Sequence, residues 1–340
     1  MAGASSPDMA IAVCEAGGLG SLACAMLDPA NVRAALGVIR QRTGNPVNLN
    51  FFTYEPPRED PKRDAAWRAR LKAYYLELGL DAHASVPAAN RVPFDDAMCE
   101  VVEELRPEVV SFHFGLPPDA LLARIKDSGS LVVSSATTVA EARWLEACGC
   151  DAIIAQGYEA GGHRGMFLTD DLSSQIGTMA LVPQVVDAVK VPVIAAGGIG
   201  DGRGVAAALS LGAAAVQIGT AYLFTPEAAI TDLHRAALKD AANRTTSLTN
   251  LFTGRPARSL VNRMMREVGP ISDLAPAFPT AGRAVTPLRA AAEANGSSDF
   301  SLLNAGQAAV LGRVLTSGEL TRRLADDARQ TLLALSGGGV

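Results

Sequence analysis

The chain lacks the features that mark several broad classes of protein. No stretch of its 340 residues is long and apolar enough to cross a bilayer, and no charged N-terminal segment leads into an apolar one. A membrane span and an export signal are therefore not read, and the expected setting is cytoplasmic and reducing. The five cysteines, Cys14, Cys24, Cys99, Cys148 and Cys150, form no CxxC pair and no cluster with histidine. That argues against a metal site and against a disulfide framework, and Cys148-Gly149-Cys150 reads as a turn between helix and strand. The net charge is −5 with no basic run, which argues against nucleic acid as a partner. Aromatic residues make up 5% of the chain and histidines number four, so each one near a glycine-rich loop carries weight. What is abundant is small and apolar: 49% of residues are hydrophobic. Such a composition suits buried parallel strands covered by helices, in a core large enough to need no staple.

Alternation of strand and helix fills the middle of the chain. Leu19–Ala23, Val47–Phe51, Val109–Phe112, Leu131–Ser135, Ala152–Gln156, Val193–Ala196 and Ala215–Ile218 are short apolar runs bounded by turn residues. Between them the pattern predicts helices over Thr138–Ala147, Met179–Val189 and Gly202–Leu211, the first opened by Thr137 or Thr138 with Glu141 in its first turn. Gly149 and Gly212 stand where a left-handed residue stops a helix. The rhythm fits a (β/α)8 TIM barrel or an open doubly wound sheet. The barrel is preferred, because glycines and polar residues cluster after the C-terminal ends of several strands. Seven strands are counted where a closed barrel needs eight. The chain opens at what reads as a strand-to-helix loop, with Ser6-Pro7 starting a helix, so the first strand is expected to be missing or replaced by another segment.

Three regions follow from this pass: a β/α barrel over 1–244, a mainly helical lid over 245–310, and a closing helical segment over 311–340. Tyr54–Pro107 is expected to insert extra helices. His83 and His234 read as surface residues.

Val191–Thr220 reads strand, glycine-rich loop, helix, strand, then Gly219-Thr220. Two strand ends would deliver main-chain N–H groups to one place, which suits a phosphate dianion. The loop GGIGDGRG is not a dinucleotide fingerprint, since it lies late in the chain and the next strand ends in Gln217 rather than an acidic residue. GYEAGGHRG, Gly157–Gly165, follows Gln156 at another strand end. Its glycines allow close approach to a flat ligand, and His163 among them is a candidate acid or base. A lone loop histidine is more often structural; the glycines and the strand-end position reverse that preference. His113, in SFHFG at a further strand end, is a second polar candidate or a packed core residue. Asn48 and Asn50 in VNLNFF, and Gln156, offer amides that can read the edge of a heteroaromatic ring.

These motifs resemble those of the nitronate monooxygenases, FMN-dependent TIM-barrel enzymes. The resemblance runs over nearly the whole chain, through MAGAS, EAGGLG, VNLNFF, VVSFHFGLP, GYEAGGHRG, VPVIAAGGIGDGRG, AVQIGTAYL, FTGRPAR, TPLRAAA and NAGQAA. It implies oxidation of alkyl nitronates, such as propionate 3-nitronate, by O2 to a carbonyl compound and nitrite, in a monomer or homodimer. It implies His163 as the catalytic histidine and His113 as a pocket residue. Phe278 stands in the lid where a tyrosine is expected. Ala2, with Met1 and Gly3, matches a loop along the flavin ring. Asn50 and Gln156 match groups that hydrogen-bond the flavin, and Gly161 matches one that lies against it. Gly197, Gly198, Gln217, Ile218, Gly219 and Thr220 match the phosphate site. Alternatives are a flavin-dependent NAD(P)H reductase, of the enoyl-acyl-carrier-protein or quinone type, and a degenerate, poorly flavinated flavin-type barrel that binds ligands without turnover.

Overall fold

A computed structural model describes residues 1–81, 84 and 92–337. The strands are β1 (Gly20–Ala23), β2 (Val47–Phe52), β3 (Val109–His113), β4 (Leu131–Ala136), β5 (Ala152–Gln156), β6 (Gly162–His163), β7 (Val193–Ala196), β8 (Ala215–Gln217), β9 (Thr246–Thr249) and β10 (Ala257–Leu260). The helices are α1 (Pro7–Glu15), α2 (Pro29–Arg42), α3 (Pro61–Glu77), α4 (Asp96–Leu105), α5 (Asp119–Asp127), α6 (Val139–Ala147), α7 (Thr178–Ala188), α8 (Gly202–Ser210), α9 (Asp232–Lys239), α10 (Arg263–Val268), α11 (Gly282–Ala294) and α12 (Ser317–Gly337). Seven parallel strands form one curled sheet in the order β1-β2-β3-β4-β5-β7-β8, the architecture of a TIM-type barrel. All seven strands read from the sequence are present. Among the described residues β1 and β8 are not paired to each other, so the sheet keeps two edges.

Each strand has two faces because side chains alternate. Leu49, Phe51, Val110, Phe112, Val132, Ile153, Ala155, Val193 and Ala195 belong to the large core shared with the helices. Residues of the other parity, Val109, Val133, Ile154 and Ala196, form a small separate cluster. Continuing that parity toward the C-terminal strand ends gives Asn48, Asn50 and Phe52, then Ser111 and His113, Ser135, and Gln156. The inner face thus turns from aliphatic to polar along each strand, and that is where the site is built.

Local chemistry sets the helix starts. Asp28, Asp60, Asp95, Thr138 and Asp201 each accept a main-chain N–H of the first turn. Gly149 and Gly212 adopt φ of +89° and +92°, the left-handed stop expected of them.

The rest of the chain adds detail to the sequence reading and corrects it at His234. Residues 245–310 supply β9 and β10 besides α10 and α11, and β6 joins them in an antiparallel sheet of order β6-β10-β9. This layer is also shared with the Tyr54–Pro107 insertion. Trp67, Leu71 and Tyr75 of α3 are buried with Leu251, Phe252 and Leu288, and Tyr75 donates to the Ala284 carbonyl at 2.6 Å. His234 is not a surface residue: it is 8% exposed and its Nε2 donates to the Asn304 carbonyl at 3.1 Å. The amphipathic α9 turns it inward, a face that a single histidine in a polar stretch does not reveal. His83 lies outside the described residues. Among the described residues, no helix is long and apolar enough to cross a membrane.

Candidate active site

The segment Gly157–Gly165 is fastened from several directions. Gly157 N–H donates to Ala196 of β7 at 2.8 Å. The Glu159 carboxylate accepts from the main-chain N–H and hydroxyl of Thr178, at 2.8 and 2.9 Å, at the start of α7. Arg164 is fully buried and donates to the carbonyls of Gln156 and Gly157 and to Gln175 Oε1. Burial pushes its guanidinium down to about 10, so it stays charged at neutral pH. Just beyond, the buried Glu141 carboxylate of α6 accepts from Phe167 N–H at 2.6 Å and from Thr137 N–H and hydroxyl at 2.7 Å each. His163 sits in β6, opposite Ala257 of β10, with its Nε2 hydrogen-bonded to Thr253 Oγ1 at 2.9 Å.

His113 acts on His163 through the backbone. Its Nε2 must donate to the His163 carbonyl at 3.1 Å, so its Nδ1 accepts from Ser135 Oγ at 3.0 Å. Burial lowers its pKa to about 3, which leaves the ring neutral. Gln156 completes the clamp: its Nε2 donates to the same carbonyl at 3.0 Å and its Oε1 accepts from Gly165 N–H at 2.7 Å. Both ends of this amide are thus engaged by the loop.

An aromatic box closes over these histidines. Phe278 packs edge-on against His163, with centroids 5.5 Å apart, and against Tyr54 at 4.9 Å and Phe114 at 5.5 Å. Phe52 lies 4.9 Å from Phe114. Phe114 holds φ at +76°, an uncommon backbone state for a bulky residue, and one often found at functional sites. Ala2 packs against this cluster. The structure therefore brings His163, His113, Phe278 and Ala2 together.

The phosphate-type loops lie on the same rim. Gln156 pairs with Ala196, and Ala196 with Gln217, so the segments after β5, β7 and β8 leave three neighbouring strand ends. Gly197 and Gly198 have φ of +103° and +72°. The N–H groups of Gly198 and Gly219 have no acceptor among the described residues. The start of α8 is already taken by Asp201, which accepts from Arg203 N–H at 3.1 Å. An anion at this rim would therefore meet the two glycine loops rather than the helix end. Ile218 packs on the main core, and Thr220 Oγ1 accepts from Gly306 N–H at 2.9 Å. Asn50 of β2 donates through Nδ2 to Ser111 Oγ at 2.9 Å. Gly161 lies against protein: a Cβ there would sit 2.5 Å from Gly306 N. A cleft of about 370 Å³ lined by Gly3, Met26, Ala35 and Val38 lies beside β1 and α2; of the residues matched to the flavin site it includes Gly3 alone.

Sequence reading missed Thr253, Arg255, Ser135 and Phe114 as parts of this site. FTGRPAR was visible as a motif, but nothing in its spacing says that it folds back against a histidine 90 residues earlier.

Comparison with known proteins agrees with this geometry. Residues 1–327 match the family described as nitronate monooxygenase. The nitronate monooxygenase of Pseudomonas aeruginosa is 41% identical over 331 residues, covering 97% of this chain and 94% of the relative. A crystal structure of nitroalkane oxidase from Streptomyces ansochromogenes superposes with a TM-score of 0.90 at 41% identity, covering 98% and 95% of the two chains. FabK from Thermotoga maritima superposes at 0.74 with 28% identity, covering 99% and 93%. The chain belongs to the nitronate monooxygenase family, and it is an enzyme of the oxidoreductase class.

Proposed function

We propose that this chain binds FMN on the rim formed by β5, β7 and β8 and oxidises alkyl nitronates with O2, releasing a carbonyl compound and nitrite. The observation that carries this reading is the pair of unpartnered main-chain donors, Gly198 and Gly219, on adjacent strand ends beside the His163 loop. Unpaired N–H groups at glycine turns suit a phosphate dianion, and the left-handed Gly197 and Gly198 present them without side-chain obstruction. Gln217, Ile218 and Thr220 would frame that phosphate. Ala2, Asn50 and Gly161 would border the ring system, while Gln156 would serve mainly to fix the loop.

Bound flavin supplies electron transfer from the nitronate and on to O2. The chain's own residues supply placement and charge. The His163 ring faces the aromatic box, whose walls exclude water and strengthen any charge interaction inside. A protonated His163 stabilises the nitronate anion; a neutral one removes the α-proton of a nitroalkane. Thr253 fixes the ring through Nε2, and the carbonyl clamp from His113 and Gln156 fixes its backbone. His113 is therefore a positioning residue.

The test is the purified protein with FMN. It is expected to show a flavin spectrum and nitronate-dependent nitrite release. His163→Asn is expected to keep FMN and to slow nitroalkane turnover by roughly 10²–10⁴-fold. Unchanged kinetics in that variant would remove His163 from the chemistry. Rapid anaerobic bleaching of the flavin by NADH would favour a reductase instead, and a protein that stays colourless with FMN would favour a barrel without turnover.

A further inference from the structure

The segment between β9 and β10 sets a guanidinium beside the aromatic box. Arg255 Cζ lies 4.0 Å from the centroid of the Phe114 ring, the same ring that packs 6.0 Å from His163 and 5.5 Å from Phe278. A stacked guanidinium is weakly hydrated and keeps its N–H edge for a planar anion. Inside the chain this edge is little used. Nη2 donates to the Met166 carbonyl, and Nε is buried with no acceptor. None of the ion pairs among the described residues involves Arg255.

The other site arginines differ. Arg164 commits Nε, Nη1 and Nη2 to protein acceptors. Arg258 leaves Nη2 without an acceptor, but it is 2% exposed and sealed against Tyr158. Arg255 is half-buried, so an anion can reach it. Asp170 and Glu141 act on it only from beyond ion-pair distance, and a half-buried cation with no carboxylate in contact and one donor unpaired is costly to maintain for packing alone.

We propose that Arg255 is a specificity-determining residue that binds a carboxylate at the far end of a nitronate whose reacting carbon lies at His163. The proposal rests on the nitronate reading above and names the residue that would meet the second negative charge of a short, carboxylate-bearing nitronate. Such a dianion needs a second cation. His113 does not supply it, because its burial and the field of Arg255 keep it neutral. The fork of Arg matches a carboxylate, and Phe114 and Phe278 wall the short carbon linker between the two charged ends.

The experiment compares two probes, propionate 3-nitronate and propyl nitronate, on wild type, Arg255→Gln and Arg255→Lys. In Arg255→Gln, kcat/KM for the carboxylate probe is expected to fall by at least about 30-fold, mostly through KM, while the propyl probe changes by less than about threefold. Arg255→Lys is expected to recover part of the loss, since it keeps the charge and loses the fork. Equal losses on both probes, or no loss on either, would overturn the proposal and leave Arg255 a packing residue. Succinate, which is not oxidised, supplies a readout besides turnover. It is expected to raise the melting temperature of wild type and not of Arg255→Gln; equal protection of both proteins would also overturn it. This arm stands even if neither nitronate is consumed, so failure of the anion role and failure of the nitronate reading are told apart.

Discussion

The two halves of the strand-end rim are built differently. At β5, every inward and outward residue from Ile153 to Gln156 is buried, and β4 and β7 pair with the strand on either side. The His163 loop leaving it is fixed by Arg164, Glu159, Gln156 and His113. At β8, Ala215 and Gln217 are exposed, Val216 is half-buried, and β7 is the sole partner among the described residues. The histidine half is thus organised before any ligand arrives, as a group that must hold a defined geometry requires. The half proposed to take the phosphate leaves the Gly198 and Gly219 N–H groups without an acceptor among the described residues, so a bound anion would complete it. On the proposed reading, a rigid acid–base group and an anchor for the phosphate would divide the work between strands on either side of β7.

Substitutions in the two halves sharpen or break this contrast. The largest effect is expected for Arg164→Met, which removes three charge-assisted hydrogen bonds from fully buried acceptors. It is expected to cost at least about 3 kcal/mol of stability in urea unfolding, whereas Val216→Ala costs under about 1 kcal/mol. Similar losses at both sites would erase the distinction. Next comes Gly198→Asp, which sets a carboxylate beside the proposed phosphate position. FMN affinity, followed by flavin fluorescence, is expected to weaken at least about tenfold. Because Gly198 is exposed and aspartate tolerates left-handed backbone, the apo protein is expected to melt within a few degrees of wild type. A variant that binds FMN normally would move the anion elsewhere.

The smallest effect concerns pH. His113 has a folded pKa of about 3 against an ordinary 6.5, so the unfolded chain binds the extra proton between those values. Stability from this group is complete above about pH 6.5 and is lost as pH falls toward 3. His234 is shifted in the same direction. His113→Gln keeps an amide that can donate to the His163 carbonyl. It is expected to flatten, without abolishing, the fall in melting temperature between pH 7 and 5. A slope equal to wild type would mean that His113 is not the neutral strut of the rigid half.

What was legible in the sequence was whatever depended on neighbours in the chain. Short apolar runs bounded by turn residues located all seven barrel strands, and Gly149 and Gly212 marked helix ends through their need for positive φ. His163, Gly197 and Gly198 stood out because glycine clusters after a strand have few other uses. Contacts made at long range left no such trace. The union of α3 with residues 251–300 joins segments too far apart for periodicity to report. The inward turn of His234, the carbonyl clamp of His113 and the stacking of Arg255 on Phe114 depend on tertiary approach, and a residue type alone does not encode it.

The contact between Gly161 and Gly306 has a consequence for synthesis. Gln307 N–H donates to the Glu159 carbonyl at 2.9 Å, and the Gly306 backbone fills the space where Gly161 would carry a side chain. While the ribosome is still adding residues before 306, the histidine-bearing turn has no roof. Chains that stall before that point would carry all seven strands of the parallel sheet and lack the backbone that covers this turn, so the turn is completed only after residues 306 and 307 have been added.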